Sequence, residues 1–376
     1  MTRRVLVVGA GIAGLATAAA LGRHGIPSVV LERRAEALDA GLGINLPGNA
    51  VTALRALGLG DGLERLGAPL GRREYRNRRG RLLFSVDEDA FWGVDARPRC
   101  VLRGDLLSLL RTAVSEGTVR LGAEVRDVVE TPDLVTVELR DGTREDGALL
   151  VGADGVRSTV RALVGSGQAP QAAVLSRSSW RFVTRNPGID CWVVWSGGSG
   201  TVLFIPLGDG RLCGWVAVAN DGLSFHEVTA AFDDFPPKVR EVLAAAASEQ
   251  IPPYQSPLEE VRPTAWARGR VVLVGDAAHA TAPVWAQGAA LAVEDALVLG
   301  EILAEAADWN DAGREFERRR RLRVEHVQTM TDRLSRAARL PPWLRDPILW
   351  TIGPHSYRAT YEPLRKPPAD RRWLPV

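Results

Sequence analysis

Short aliphatic runs alternate along the chain with longer segments in which apolar residues recur every three or four positions, the pattern of strands alternating with helices. Arg4 to Val8 reads as a strand and the alanine-rich Ile12 to His24 as the helix after it. Ser28 to Leu31 reads as a second strand that ends in Glu32. The hydrophobic stretches around Leu150-Val151 and Val271 to Val274 each run into a Gly/Asp turn. Between them the period shortens to two: strands are predicted near Trp180 to Thr184, Cys191 to Trp195, Val202 to Ile205 and Leu212 to Val218, with turns at Gly197-Gly198 and Gly208-Asp209-Gly210. This region, Ser178 to Ala219, is expected to form an antiparallel sheet. After Gly288 an apolar-periodic helix is predicted to about Ala307, then an arginine-rich one from about Gly313 to Leu340. The Arg318 to Arg321 run reads as one solvated helix turn.

The first strand–helix junction carries Gly9-Ala10-Gly11-Ile12-Ala13-Gly14. A dinucleotide-binding turn needs glycine first for the tight bend, second for backbone approach to a pyrophosphate, and third for close helix–sheet packing. The helix N-terminus then offers free N–H groups and a positive dipole end. Glu32, at the end of the second strand, is placed to take both hydroxyls of a ribose. The candidate dinucleotide ligands are therefore Gly9, Gly11, Ile12, Ala13, Gly14, Glu32 and Arg33. Arg3 and Arg4 before an apolar run mimic a secretory signal, but the glycines fall at a strand-to-helix turn, so neither signal peptide nor membrane span is expected.

The 376 residues are enough for two interlocked cores, and 46% hydrophobic with 24% charged is a globular composition. A formal net charge of +2 gives no reason to expect nucleic acid or an anionic membrane as partner. Cys100, Cys191 and Cys213 form neither a disulfide framework nor a zinc pattern, which points to a reducing compartment and a cytoplasmic protein. The five histidines, His24, His226, His279, His326 and His355, lack ligand spacing, so no metal is expected.

Two later motifs separate FAD from NAD. Leu150-Val151-Gly152-Ala153-Asp154-Gly155-Val156-Arg157-Ser158 and Val271-Val272-Leu273-Val274-Gly275-Asp276-Ala277-Ala278-His279, followed by Pro283 and Gln287-Gly288, resemble the DG and GD motifs of the FAD-dependent aromatic hydroxylases, the p-hydroxybenzoate-hydroxylase-like group A flavin monooxygenases that include salicylate and urate hydroxylases. Gly43-Ile44-Asn45-Leu46-Pro47 with Asn49, and Val101 to Leu106, are weaker correspondences. The resemblance implies an α/β fold: a Rossmann-like (GR2-type) FAD-binding domain from 1–70, 98–170 and 262–310, an interleaved antiparallel substrate-binding sheet domain from 71–97 and 171–261, and C-terminal helices over 311–376. It also implies cofactor contacts from Arg103, Asp154, Gly155, Gly275, Asp276, Pro283, Gln287, Gly288 and Ala289, with Asp276 on the ribityl chain. NADH or NADPH would reduce the flavin, oxygen would add as a C4a-hydroperoxide, and its terminal oxygen would pass to an electron-rich carbon. The chain departs from the family at Ala286, where a glycine is usual, and at Ala290, often an asparagine. His279 is expected to hydrogen-bond structurally.

Strand alternation puts Cys213, Trp215 and Ala217 on one face and Leu212, Gly214 and Val216 on the other. Candidate pocket residues are Gly43, Trp195, Leu203, Cys213, Trp215, Pro283, Val284 and Trp285. Thr201 and Cys213 stand where urate-hydroxylase relatives carry a charged and phenolic pair, so a neutral, flat aromatic or heteroaromatic substrate other than urate is expected. Arg181, Arg185 and His226 could each favour a phenolate, but all read as exposed and no catalytic residue is assigned. The expected activity is hydroxylation or epoxidation by a monomer or homodimer. The alternative is a flavin-binding protein that sequesters or assists a pathway intermediate without turnover. A halogenase is disfavoured: Phe204-Ile205-Pro206 is not the expected Trp-x-Trp-x-Ile-Pro, and no lysine precedes Lys238.

Overall fold

The computed structural model describes residues 3–36, 42–164, 172–176, 178–218, 222–255, 257–338 and 340–368. The expected sheet end at Ala219, the boundary at 171 and the final stretch 369–376 lie outside these. All four residues of Val5–Val8 are buried, because the strand lies between two parallel neighbours, Ser28–Glu32 and Leu149–Gly152. Val119–Leu121 extends this sheet on one side and Val271–Leu273 on the other, both parallel. Antiparallel Ala267–Arg268 closes it as a sixth strand. Strands buried on both faces read as continuous aliphatic runs, which is why these are legible without alternation. The helices Ile12–Arg23 and Gly288–Glu305 pack against each other, alanine on alanine; a Cβ at Gly300 would approach Ala20 to 3.2 Å.

The second large sheet has seven strands, in the order Tyr254–Gln255, Ser179–Arg185, Arg211–Val218, Gly200–Gly208, Trp192–Ser196, Arg72–Asn77, Leu82–Asp87. The four strands read from the sequence are present and mutually antiparallel. The sheet as a whole is mixed, however, because Arg72–Asn77 joins Trp192–Ser196 in parallel. One face packs on the helices Phe225–Ala230 and Pro237–Ala247 through Trp180, Phe182, Phe204 and Val216. The other face carries Trp192, Val194, Ile205 and Cys213, turned toward the parallel-sheet half. A short sheet of Gly43–Leu46, Arg99–Leu102 and Ala68–Pro69 sits between the two halves.

The predicted helix after Gly288 ends at Glu305, and the arginine-rich one spans Ala312–Ala338. A further helix, Pro342–Tyr361, crosses the strand Leu82–Asp87. No helix among the described residues is long and apolar enough to cross a membrane.

Candidate active site

Gly9 has φ 102°, and a Cβ there would lie 2.6 Å from the Ala153 carbonyl oxygen. The tight bend between the first strand and its helix therefore requires glycine. Gly11 caps the helix without any side-chain hydrogen bond, and nothing lies within 4 Å of where its Cβ would be. The first-turn N–H groups thus face open space with Ile12 half-buried beside them and Ala13 buried beneath. At Gly14 a Cβ would come within 1.8 Å of the Gly9 carbonyl oxygen, so helix and turn touch backbone to backbone. The Glu32 carboxylate accepts from the Ala10 N–H (2.8 Å) and the Arg34 N–H (3.1 Å) and stands half-exposed on the rim, with Arg33 exposed next to it. A cleft of about 260 Å³ opens here, lined by Gly11, Glu32, Arg103, Gly104, Asp105 and Arg111. A larger hollow of about 480 Å³ beside Glu130, Arg268 and Val271 meets the GD motif at its first strand residue and is lined by none of the candidate site residues.

The DG motif has a different emphasis from that expected. The resemblance makes Asp154 a cofactor ligand, but its carboxylate accepts from the Ser158 hydroxyl (2.5 Å) and from the Thr159 and Val160 N–H groups (2.7 and 3.1 Å). It caps the helix Thr159–Val164, satisfying donors that helix geometry leaves orphaned. Gly155, φ 80°, has open space where a side chain would stand.

The GD motif is held by a buried ionic network. Asp295, on the helix Gly288–Glu305, accepts from the Gly275 N–H (2.8 Å) and from Arg320 Nε (2.8 Å), and shares a 2.7 Å hydrogen bond with His279 Nε2. His279 thus has the structural role expected of it. Neighbouring Glu294 accepts from Arg323 Nε and Nη2 (2.7 and 2.6 Å), from Arg320 and from the Asn49 amide, which also pairs with Gln287. Arg320 and Arg323 are 0% and 1% exposed, so the expected solvated turn at Arg318 to Arg321 is corrected: the helix turns these two arginines inward onto paired carboxylates. Burial pushes both acids up, but Arg323 and Arg320 outweigh it at Glu294, and His279 and Arg320 at Asp295, holding each below its ordinary range.

Asp276 has no such partner. It is exposed, yet the protein packed around its carboxyl raises its pKa against the pull of His279, Arg181 and Arg103. Gly275, φ 58°, would set a Cβ 2.8 Å from that of Ala13, so the first and last motifs meet directly. Ala286 adopts φ 55°, ψ 34°, the left-handed conformation that explains why relatives of this pattern carry glycine. Ala286→Gly is therefore expected to stabilise the protein by about 0.5–1 kcal/mol, the eased backbone strain exceeding glycine's entropy cost. Thermal unfolding of the flavin-loaded protein checks this; a lowered melting temperature would count against the strain. Gln287 is buried, Gly288 opens the long helix, and Ala289 is buried in its first turn.

Across the sheet, the antiparallel register sets Tyr254, Arg181, Trp215 and Leu203 side by side in one row. Their neighbours Trp180, Phe182, Phe204 and Val216 belong to the helix-backed core, so Arg181, Trp215 and Leu203 face the trench, all half-buried. Trp195 does not join them. Its ring lies tilted against that of Phe204 (5.5 Å between centroids) and it pairs with Val202 on the helix-backed face, so its expected place in the pocket is corrected. Cys213 is on the trench side but 8% exposed, closed over by Gly43, whose Cβ would fall 2.4 Å from its sulfur. Pro283 and Val284 are half-buried at the loop; Trp285 is 3% exposed, its ring edge-on to Tyr361. Arg185 and His226 are exposed, His226 on the rear helix.

Sequence reading missed Asn45 as a site residue. It lies in the strand Gly43–Leu46 with both amide atoms buried and unpartnered. Such a group needs a hydrogen-bonding partner, and its place in the weaker correspondence Gly43 to Pro47 is the sequence signal that could have found it. An uncapped helix start at Gly11, open carboxylates at Glu32 and Asp276, and an orphaned amide at Asn45 together fit an extended dinucleotide with a polar ring at one end.

A family described as "FAD binding domain" matches residues 2–332. The chain is 31% identical over 385 residues to a 2-heptyl-3-hydroxy-4(1H)-quinolone synthase of Pseudomonas aeruginosa, covering 96% of this chain and 97% of that one. It is 32% identical over 341 residues to an FAD-dependent urate hydroxylase of Klebsiella pneumoniae, covering 86% and 87%. The crystal structure of Klebsiella pneumoniae HpxO complexed with FAD and uric acid superposes with a TM-score of 0.81 at 28% identity, covering 99% of this chain and 95% of that one. A point mutant of 2-methyl-3-hydroxypyridine-5-carboxylic acid oxygenase superposes at 0.80 with 25% identity, the whole of both chains being covered. Motifs, trench and relatives converge: the chain belongs to the FAD-binding-domain family of group A flavin-dependent aromatic hydroxylases and is an FAD-dependent monooxygenase.

Proposed function

We propose that the enzyme uses NADH or NADPH and O2 to hydroxylate or epoxidise a small, flat aromatic or heteroaromatic molecule, bound in the trench between the mixed sheet and the loop Pro283–Gly288. The observation that carries this reading is the half-buried row Arg181–Trp215–Leu203 facing Asp276. An apolar wall with few polar groups suits a flat ring. Bound flavin supplies hydride acceptance and oxygen activation; the protein supplies orientation and exclusion of water. On this reading the N–H groups around Gly11, Ile12 and Ala13 bind pyrophosphate and Glu32 holds the ribose, with Arg33 and Arg103 at the rim. Asp276 accepts from the ribityl chain, Asn45 bonds the ring system, and Gln287, Gly288 and Ala289 present the helix start to the pyrimidine. Asp154, Gly155 and Gly275 shape the turns, and Pro283, Val284 and Trp285 border the substrate. Residues 1–70, 98–170 and 262–310 serve the cofactor, 71–97 and 171–261 the substrate. Urate is not the proposed substrate: Cys213 is buried under Gly43, and Thr201 bonds Ser196 at 3.3 Å. Buried free thiols at Cys100, Cys191 and Cys213 support a cytoplasmic setting.

Anaerobic mixing with NADH or NADPH, following flavin absorbance across a panel of small aromatics, tests the reading. Bleaching that accelerates sharply with one aromatic, and an oxygenated product once air is admitted, is the expected result. Flavin that neither nucleotide reduces with any aromatic would favour the non-turnover alternative.

A further inference from the structure

Resting on the reading that the loop Pro283–Gly288 borders the flavin, we propose that Tyr361 is a positioning residue for the cofactor: its hydroxyl clamps the Trp285–Ala286 peptide and so sets the helix start that faces the flavin ring. Tyr361 ends the helix Pro342–Tyr361, and its hydroxyl donates to the Trp285 carbonyl at 2.7 Å across 76 residues of chain. The Ala286 N–H of the same peptide donates to the Pro283 carbonyl at 3.1 Å. Both polar atoms of one peptide are therefore tied down, one from within the loop and one from the C-terminal helix.

That peptide leads straight into a strained residue. Ala286, φ 55°, and Asp209, φ 49°, are the only non-glycine residues of positive φ among the described residues. Asp209 lies exposed in a Gly-Asp-Gly hairpin turn, and aspartate visits this conformation through local hydrogen bonds. Alanine has no such help. A sparsely populated backbone conformation persists only where its surroundings over-determine it. Ala286 is bracketed in that way: Tyr361 holds the carbonyl before it, and Asn49 holds the Gln287 side chain after it. Without the Tyr361 bond the peptide is free to turn and the alanine to relax, carrying the Gly288 helix start with it.

Tyr361 is itself rigidly held. It is fully buried, with its ring edge-on to Trp285 and to Trp92, each at 5.6 Å. Arg73 Nη1 reaches its oxygen at 3.4 Å, and Arg73 is bonded in turn to Glu88 at 2.6 Å. Burial pushes the phenol up to about 12 against the pull of Arg73, so at neutral pH the proton stays on the oxygen and is available to the carbonyl. Neighbouring Tyr357 spends its hydroxyl on Glu88 at 2.5 Å, inside the same cluster and away from the loop. Just beyond Tyr361, Arg323 takes the Leu364 and Lys366 carbonyls (2.9 and 3.1 Å) while bonding Glu294 on the helix that the loop opens. Clamp and helix thus share one frame.

The test is FAD titration of the apo protein, with the visible spectrum of the bound flavin recorded, for Tyr361→Phe in the parent and in Ala286→Gly. Tyr361→Phe is expected to weaken FAD about three- to tenfold, the range of one hydrogen bond, and to shift the flavin band. In Ala286→Gly, where the left-handed conformation carries no strain, the same substitution is expected to cost less than about twofold. Tyr357→Phe, which removes the hydroxyl that does not touch the loop, is expected to lower the melting temperature and leave the flavin spectrum unchanged. Parent-like affinity and spectrum in Tyr361→Phe, an equal loss in both backgrounds, or the same spectral shift from Tyr357→Phe would each overturn the proposal. Should Tyr361→Phe alone fail to fold, the double variant decides: FAD bound as tightly as in Ala286→Gly supports the clamp, and weaker binding overturns it. Gly288→Ala separates the clamp from the reading beneath it, because the added Cβ meets only the Asp276 carboxylate, at 3.7 Å, and leaves the fold intact. FAD weakened by Gly288→Ala but not by Tyr361→Phe would remove the clamp alone. FAD unaffected by either would take the loop itself away from the flavin, and the clamp with it.

Discussion

Gly14→Ala is expected to yield a protein that no longer retains FAD. The added Cβ would lie 1.8 Å from the Gly9 carbonyl oxygen, a backbone atom fixed by the strand Val5–Val8 and by the Gly9 N–H bond to the Leu31 carbonyl (2.8 Å). Neither side yields as a flexible side chain would, so the helix must lift from the turn. Overpacking of this kind costs about 3 kcal/mol or more, equivalent to about a hundredfold in cofactor affinity if it falls on the bound geometry. Gly11→Ala provides the contrast. Its Cβ meets nothing within 4 Å, so the apo protein should melt as the parent does while FAD binding weakens, the methyl standing where the pyrophosphate is proposed to approach. Apo thermal unfolding and FAD titration of both variants separate the roles. Equal FAD affinity in Gly11→Ala and the parent would remove that turn from the pyrophosphate site, and an unperturbed Gly14→Ala would show that the helix can shift freely.

The features legible in the sequence are those set locally. Glycine at position 9 answers to backbone conformation and at position 14 to close approach within one turn, and the flanking strands are aliphatic because both their faces are covered. What is not legible depends on register and on contacts between distant segments. Trp195 and Trp215 sit on different strands, and which shares a face with which follows from pairing: Trp195 lies opposite Val202, which lies opposite Val216, so Trp195 falls on the face away from Trp215. A one-residue change in either hairpin would have reversed the answer. Asp154 shows another limit, because a Gly/Asp turn reads equally as ligand or helix cap until the chain after it is seen to bend back onto the carboxylate. Arg320 and Arg323 show a third. Arginines in an otherwise polar helix read as solvated, and only the packing of Ala312–Ala338 on Gly288–Glu305 brings Glu294 and Asp295 beneath them.

That ionic network leads to the second large effect. Arg320→Leu removes a cation, itself fully buried, from between Asp295 and Glu294. Breaking one side of a buried pair costs about 3–5 kcal/mol, because the remaining carboxylate stays desolvated without its counter-charge. Glu294 keeps Arg323, but Asp295 is left with His279 and the Gly275 N–H. Since Asp295 anchors the turn that presents Asp276, the variant should lose flavin as well as stability. The pH dependence has a definite sign. Glu294 and Asp295 are both held below their ordinary values of 4.5 and 3.8, so they bind fewer protons folded than unfolded near those values. Their stabilisation is therefore complete above about pH 5 and is lost as pH falls through the lowered folded values. In Arg320→Leu the burial that raises Asp295 remains while part of its compensation is gone, so the acid transition should begin at a higher pH than in the parent. Urea unfolding at pH 7 and across the acid limb checks both claims. An unshifted acid limb with a loss under about 1 kcal/mol, well below the range for a broken buried pair, would mean that His279 alone carries the compensation and that Arg320 merely fills space between the two helices.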